Sequence, residues 1–223
     1  MPSLKDRSEG DTMSRVAILG ASGRLGTHLV TIALERDFEV SALVRNPEKI
    51  TRANYNLTLI EGGAGSGEDI QTAVEGCRFV LSAMGSSKPV MTACVRNLVQ
   101  ELKAIKPLKR FIFVSWLGAG DSVVQAQGVS ELRSVITRAT HKKMFEDISR
   151  AEDTIRASRL PYVILRPTRL TDDGPADSTV AVGAEEVPPG PISRVDLARF
   201  VFQILEEPGW ERREVTVGSK SPR

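Results

Sequence analysis

The 223-residue sequence has two cysteines, little excess charge and no long apolar run. Cys77 and Cys94 lie in apolar stretches and lack the spacing of metal ligands, so we expect buried thiols rather than a disulfide framework or a metal site. The formal net charge of +2, without a block of like charges, indicates neither a nucleic-acid partner nor a membrane surface. No apolar run approaches the roughly 20 residues that a transmembrane helix needs. We therefore expect a soluble, cytoplasmic protein.

The length suits a single domain with a sizeable core. Residues 1–13 are polar and have no apolar centre, so we interpret them as a disordered extension rather than a secretory signal. Residues 14–223 contain no internal repeat and no low-complexity linker that would mark a second domain.

A glycine motif near the N-terminus organises the rest of the chain. It reads Gly20-Ala21-Ser22-Gly23-Arg24-Leu25-Gly26. An apolar run, Val16–Leu19, precedes it, and apolar residues at helical spacing follow it, which is the context of a dinucleotide-binding motif. Gly20 allows a tight turn, Gly23 lets backbone N–H groups approach a pyrophosphate, and Gly26 allows close packing of the helix. A glycine turn that binds no ligand is the alternative.

The end of the second predicted strand, residues 38–44, indicates which dinucleotide is bound. An acid at this point meets a ribose 2′-hydroxyl, whereas a cation meets a 2′-phosphate. The residue here is Arg45, with Lys49 one turn further on and Arg24 in the glycine turn within reach of the same phosphate. We therefore predict NADP(H) rather than NAD(H); a solvated surface arginine is the alternative.

Strands and helices alternate along the remaining chain. The predicted strands cover 57–61, 78–82, 111–115 and 161–167, with short ones at 179–182 and 215–217, and the predicted helices cover 69–75, 90–105, 141–158 and 193–206. This order predicts an α/β fold with a Rossmann-like, doubly wound, mainly parallel sheet and helices on both faces.

Two loops, residues 116–140 and 168–191, follow ends of central strands, where ligands bind in open sheets, and are the predicted substrate loops. Ser115 is expected to hydrogen-bond the nicotinamide amide or the substrate, or else to make a structural hydrogen bond. Trp116 is a stacking platform for a planar ligand or a partly buried core aromatic. Arg169 is expected to steer an anionic substrate or to be a solvated cation. Asp172-Asp173 is interpreted as a solvated turn, because a third metal ligand is lacking.

With these residues in place, the chain resembles the short-chain dehydrogenase/reductase superfamily over about residues 14–218. It is most similar to the atypical NADP-binding branch that contains biliverdin IXβ reductase/flavin reductase and the nitrogen-metabolite-repressor type sensors. Besides the glycine motif, the marks are Leu43-Val44-Arg45, Phe113-Val114-Ser115, Ala151-Glu152, Ser158-Arg159-Leu160-Pro161-Tyr162, Leu165-Arg166-Pro167 and Ile192-Ser193-Arg194-Val195-Asp196-Leu197-Ala198. The resemblance implies cofactor contacts at Gly20, Ala21, Ser22, Gly23, Arg24, Leu25, Arg45, Ala83, Met84, Gly85, Ser115, Pro167 and Thr168.

The departures from that superfamily concern the chemistry. Its active dehydrogenases use a Tyr-x-x-x-Lys pair on the helix after the fifth strand to move the substrate proton. Alignment on Ala151-Glu152 places Met144 and Ile148 at those positions. The two tyrosines, Tyr55 and Tyr162, have no lysine four residues on. Alcohol–ketone dehydrogenation by that mechanism is therefore not expected.

The biliverdin/flavin reductase branch also lacks the pair, but its own site is not carried over intact. Its histidine after the proline of the sixth strand corresponds to Arg169 here, and its serine after the fifth strand corresponds to Trp116. The resemblance favours an NADPH-dependent oxidoreductase that transfers hydride to a planar conjugated acceptor such as a flavin or quinone, with proton supply from solvent. A non-catalytic NADP-binding sensor is the alternative, and a nucleotide-sugar isomerase has the least support. A monomer or weak homodimer is expected.

Overall fold

The computed structural model describes residues 14–86, 88–105, 107–119, 131–176, 178–183 and 186–220, with the backbone alone for 131–140. The strands in these residues are β1 Arg15–Leu19, β2 Glu39–Val44, β3 Leu57–Glu61, β4 Phe79–Ser82, β5 Arg110–Val114, β6 Tyr162–Pro167, β7 Leu170–Thr171, β8 Thr179–Gly183, β9 Ile192–Ser193 and β10 Arg213–Ser219. The helices are α1 Gly26–Glu35, α2 Gly67–Val74, α3 Met91–Leu102, α4 Glu131–Ala157 and α5 Arg194–Ile204.

Eight strands form one sheet in the order β3-β2-β1-β4-β5-β6-β10-β8. Neighbouring strands are parallel except β8, which is antiparallel to β10 at the edge. The strand order reverses between β1 and β4, and a crevice at the carboxyl ends of such strands is where open α/β sheets bind ligands. The predicted fold class is confirmed.

Helices cover both faces of the sheet, which explains the continuous apolar strands. Val16 and Ile18 of β1 pack in one core with α1 and α5. Ala17 and Leu19 of the same strand pack in the opposite core with α2, α3 and α4. The sheet is thus fixed from both sides, so the loops at its carboxyl edge stand on a rigid base.

The structure extends some of the predicted elements. The predicted helix over 141–158 begins earlier in the structure: α4 starts at Glu131, inside the first predicted substrate loop, and has non-helical backbone at His141 (φ −119°, ψ 20°). Strands β7 and β9 pair in parallel but have two residues each, too few for a periodic signal. Residues 1–13, predicted as an extension, and residues 120–130 of the first predicted substrate loop lie outside the described residues. In the described part of the chain, no helix combines the length and apolar character of a membrane span.

Candidate functional site

The glycine motif forms the turn between β1 and α1, and its glycines stand where a side chain would not fit. Gly20 has φ +79°, and a Cβ there would lie 2.8 Å from the carbonyl oxygen of Ala83. A Cβ on Gly26 would lie 2.1 Å from the carbonyl oxygen of Gly20. Gly26 was predicted to allow close packing of the helix, and the atoms nearest to it are backbone atoms of the turn itself. The N–H of Gly23 donates to the carbonyl of Gly20 (3.0 Å), which closes the turn.

The turn lies at the point where the strand order reverses. The N–H of Ala83 donates to the carbonyl of Leu19 (3.0 Å), so the chain leaving β4 runs directly beside Gly20. Met84 and Gly85 continue this segment, and Gly85 is exposed. Two of the predicted cofactor-binding segments, the glycine motif and residues 83–85, are thereby brought together at the carboxyl ends of neighbouring strands.

Arg45 and Lys49 lie at the carboxyl end of β2, on the same edge of the sheet. Arg45 directly follows the strand and is exposed, and its Cγ packs against Gly63, 3.8 Å from where a Cβ would stand. Lys49 ends a 3-10 turn that begins at Pro47, and it is also exposed. Both cations face solvent at the position that a ribose 2′-phosphate would take in this fold.

Arg24 is engaged by the second predicted substrate loop. Its guanidinium pairs with Asp172, and the other carboxylate oxygen of Asp172 accepts from Arg194 Nη1 at 2.6 Å. Asp172 follows β7, and Arg194 is the first residue of α5. The pair of aspartates interpreted as a solvated turn thus supplies an ion pair that joins the glycine turn to this loop.

Ser115 makes the structural hydrogen bond that is one of its two expected roles. Its hydroxyl donates to Glu152 Oε1 at 2.6 Å, and the residue is 1% exposed. Glu152 accepts two further hydrogen bonds from Arg166, from Nε at 3.0 Å and from Nη2 at 2.7 Å. The end of β5 is therefore tied through α4 to β6 by fully buried charged groups.

The buried charges extend to the next strand of the sheet. Arg166 Nη2 also donates to Glu214 on β10 (2.7 Å), and Arg156 on α4 donates to both oxygens of Glu214 (2.7 and 2.8 Å). Burial alone would raise the pKa of Glu214, but the hydrogen bonds and charges of Arg156 and Arg166 outweigh it and hold this pKa below its ordinary value. Sequence patterns do not show these partners; the one local signal is a charged residue, Arg166, inside an otherwise apolar strand.

Trp116 and Arg169 follow the ends of β5 and β6. Trp116 is half-buried and packs edge-to-face against Phe145 of α4, with ring centroids 5.9 Å apart. Arg169 is exposed, and its carbonyl accepts from the N–H of Ile192 (3.1 Å). Thr168, predicted with Pro167 to contact the cofactor, is buried, and its hydroxyl donates to the carbonyl of Gly190 (2.8 Å).

The two positions that the alignment on Ala151-Glu152 predicts for a Tyr-x-x-x-Lys pair are buried. Met144 and Ile148 on α4 are both buried. Between them on the helix, Asp147 reaches the start of α3, where its carboxylate accepts from the N–H groups of Met91 (2.6 Å) and Thr92 (3.2 Å). These contacts fix α4 against α3, so this stretch of α4 stabilises the domain. The capping role of Asp147 was not predicted, because it depends on a contact between distant segments.

Comparison with known proteins identifies the family. A family model described as NAD(P)H-binding matches residues 20–208. The chain belongs to this NAD(P)H-binding family. The glycine turn, with no room for a Cβ at Gly20 or Gly26, fits this assignment. The predicted resemblance to NAD(P)H-binding proteins is confirmed at the level of this family.

Individual members of the wider group resemble the chain over most of its length. Oxidoreductase ptaF of Pestalotiopsis fici is 26% identical over 216 residues, which are 88% of this chain and 80% of that protein. ChuY, an anaerobilin reductase from Escherichia coli O157:H7, has a TM-score of 0.79 at 22% identity and covers 94% of this chain and 99% of its own. A short-chain dehydrogenase/reductase from Veillonella parvula, solved in complex with NADP, has a TM-score of 0.73 at 22% identity, with 93% and 95% coverage. The two structures confirm the Rossmann-like fold.

Proposed function

We propose that this NAD(P)H-binding protein is an NADPH-dependent reductase that transfers hydride to a planar conjugated acceptor such as a flavin or quinone. The observation that carries the proposal is the exposed Arg45 at the carboxyl end of β2, beside a glycine turn that fits a dinucleotide. The N–H of Gly23 closes the turn, and other N–H groups between Gly20 and Leu25 then face the pyrophosphate, with residues 83–85 along the dinucleotide.

The preference for NADP(H) follows from charge at the carboxyl end of β2. A guanidinium grips a phosphate with two charge-assisted hydrogen bonds, whereas an acid at this position would repel it. Lys49, four residues further on, adds a second cation on the same edge. The Veillonella parvula protein binds NADP in its crystal structure, which supports the same cofactor here.

The Arg45→Ala variant is expected to lose NADPH affinity by about ten-fold or more, because one charged hydrogen bond contributes about 1.5–3 kcal/mol. Its NADH affinity should barely change, since NADH has no 2′-phosphate. Isothermal titration of both cofactors against wild type and variant measures this. Arg52→Ala is a matched control, because Arg52 is also an exposed arginine of the segment after β2. If Arg45→Ala left NADPH affinity unchanged, Arg45 would be an ordinary surface charge.

The reductase part of the proposal rests on the relatives and on the buried positions of the absent proton-transfer pair. Two of the relatives, oxidoreductase ptaF and the reductase ChuY, are named for redox reactions. Met144 and Ile148 are apolar and buried, so neither moves a proton. When bound, NADPH supplies the hydride. An electron-poor ring suits this site because it accepts hydride and takes its proton from solvent.

The acceptor is expected to lie beside Trp116 and Arg169. The edge-to-face pair of Trp116 with Phe145 provides aromatic surface next to the end of β5, on which a planar ring can stack. The guanidinium of Arg169 attracts an anionic acceptor or neutralises charge on a reduced ring. Ser115, held by Glu152, positions the backbone from which Trp116 projects.

A panel of flavins, quinones and linear tetrapyrroles tests the activity. The protein is expected to increase the rate of NADPH oxidation, followed by loss of absorbance, with at least one of these acceptors. Trp116→Ala should then raise KM for that acceptor without changing the affinity for NADPH, because Trp116 is a predicted stacking surface and is not among the predicted cofactor contacts. NADPH binding without turnover on any acceptor would contradict the reductase and favour the NADP-binding sensor.

A further inference from the structure

Asp172 forms ion pairs with two arginines, Arg24 of the glycine turn and Arg194 of α5. Its carboxylate pairs with Arg24 through one oxygen and with Arg194 through the other (2.6 Å). The side chain of Arg194 is 12% exposed, whereas that of Arg24 is 69% exposed. Asp172 is therefore anchored to the start of α5 by a nearly buried arginine and offers its other oxygen to the glycine turn.

A second contact fixes the segment that carries Asp172. The N–H of Ala176 donates to Asp196 Oδ2 at 2.9 Å, and Asp196 also accepts from the hydroxyl of Ser193 (2.8 Å) at the start of α5. Residues 172 and 176 are thus both tied to α5. These two contacts hold the segment without any contribution from Arg24.

The carboxylate of Asp172 lies beside the glycine turn, where a bound dinucleotide would place its negatively charged phosphates. Arg24 lies between Gly23 and Leu25, in the turn whose N–H groups face phosphate in this fold. A phosphate that reaches Arg24 competes with Asp172 for the guanidinium, whose Nη2 contacts the carboxylate. The carboxylate, held by Arg194, also repels the incoming anion.

We propose that Asp172 is an internal competitor for the phosphates of the cofactor and lowers the affinity of the protein for NADPH. This inference rests on the proposed function. In the ligand-free protein Asp172 neutralises Arg24, and cofactor binding exchanges this carboxylate for phosphate. Because Asp172 belongs to the second predicted substrate loop, the exchange also couples cofactor binding to that loop.

The Asp172→Asn variant tests the proposal, because asparagine keeps the shape and removes the charge. NADPH is expected to bind about two- to five-fold more tightly to this variant at low salt, in line with an exposed ion pair that contributes up to about 1 kcal/mol. The gain should shrink as salt is raised, since the charges are exposed. Asp173→Asn, which removes the same charge one residue away, should change the affinity less. Thermal unfolding of each variant checks that the fold is intact.

The same substitutions in an Arg24→Gln protein separate competition for Arg24 from a general effect of removing a negative charge. In the Arg24→Gln protein the Asp172→Asn change should give no more gain than Asp173→Asn, because the guanidinium for which Asp172 competes is gone. Titration with NADH as well as NADPH distinguishes the phosphate concerned. A gain for both cofactors indicates the pyrophosphate, and a gain for NADPH alone indicates the 2′-phosphate.

Three results would overturn the inference. If Asp172→Asn left NADPH affinity unchanged or weakened it, Asp172 would not compete with the cofactor. If its gain persisted in full without Arg24, the effect would not act through the ion pair. Both results leave wild-type NADPH binding, and so the proposed function, intact. If the wild type did not bind NADPH at all, the proposed function and this inference would fail together.

Discussion

Replacing Glu152 by alanine is expected to destabilise the protein by about 3–5 kcal/mol, because the buried Arg166 guanidinium loses its fully buried carboxylate partner and keeps the partly exposed Glu214. The side chains of Glu152 and Arg166 are both 0% exposed, and two hydrogen bonds join them. The same change removes the acceptor of the Ser115 hydroxyl. The free energy of unfolding, measured by circular dichroism in urea, gives the loss directly.

Two further variants test whether the loss of stability comes from the burial of the Arg166 charge. Asp153→Ala removes the neighbouring acid, which pairs with Arg156 but is 69% exposed, and should cost less than about 1 kcal/mol. The double variant Glu152→Leu/Arg166→Met should recover most of the loss, since apolar residues of similar volume often replace a buried pair without cost. In the described part of the chain Arg166 Nη1 has no hydrogen-bond partner, so the native pair is itself imperfectly compensated. A loss below about 1 kcal/mol for Glu152→Ala would contradict this account of the network.

Replacing Gly26 by alanine is expected to weaken NADPH binding by about a hundred-fold, the loss that corresponds to two hydrogen bonds to charged phosphate at about 1.5–3 kcal/mol each. The new Cβ would lie 2.1 Å from the carbonyl oxygen of Gly20 and 2.7 Å from the Cα of Ala21. Both are backbone atoms of the glycine turn, so the turn itself has to move. Its N–H groups would then no longer point to the pyrophosphate.

Gly65→Ala is the matched control for this change. Gly65 is exposed, and a Cβ there would meet nothing within 4 Å among the described residues. Its NADPH affinity should equal that of wild type, as measured by the same calorimetric titration. Near-normal binding by Gly26→Ala would show that the turn does not hold the phosphates.

The parts of the fold that the sequence predicts are those with local signals. The apolar run Val16–Leu19, the three glycines after it and the helical spacing beyond them determine β1, the turn and α1, all of which the structure confirms. The predicted helix over 193–206 begins with Ser193, a residue type that favours helix caps, and its hydroxyl accepts from the N–H of Asp196 (3.1 Å). Such features depend on neighbours within four residues, which a sequence shows directly.

The parts that could not be predicted depend on contacts between distant segments. Ser115 and Glu152 are 37 positions apart, and Arg166 and Glu214 are 48 apart, so their pairing requires the completed sheet. Arg24 is an example within the candidate site itself. Its sequence position indicates a phosphate contact, but only the packing of the 168–191 loop on α5 shows that Asp172 pairs with it.

The central claim is that the site binds NADP(H) through a cation at the end of β2. Parallel calorimetric titrations of the wild-type protein with NADPH and with NADH test it most directly. The account predicts that NADPH binds at least about ten-fold more tightly, the difference that one charged hydrogen bond to the 2′-phosphate provides. Equal affinity for the two cofactors, or tighter binding of NADH, would contradict it.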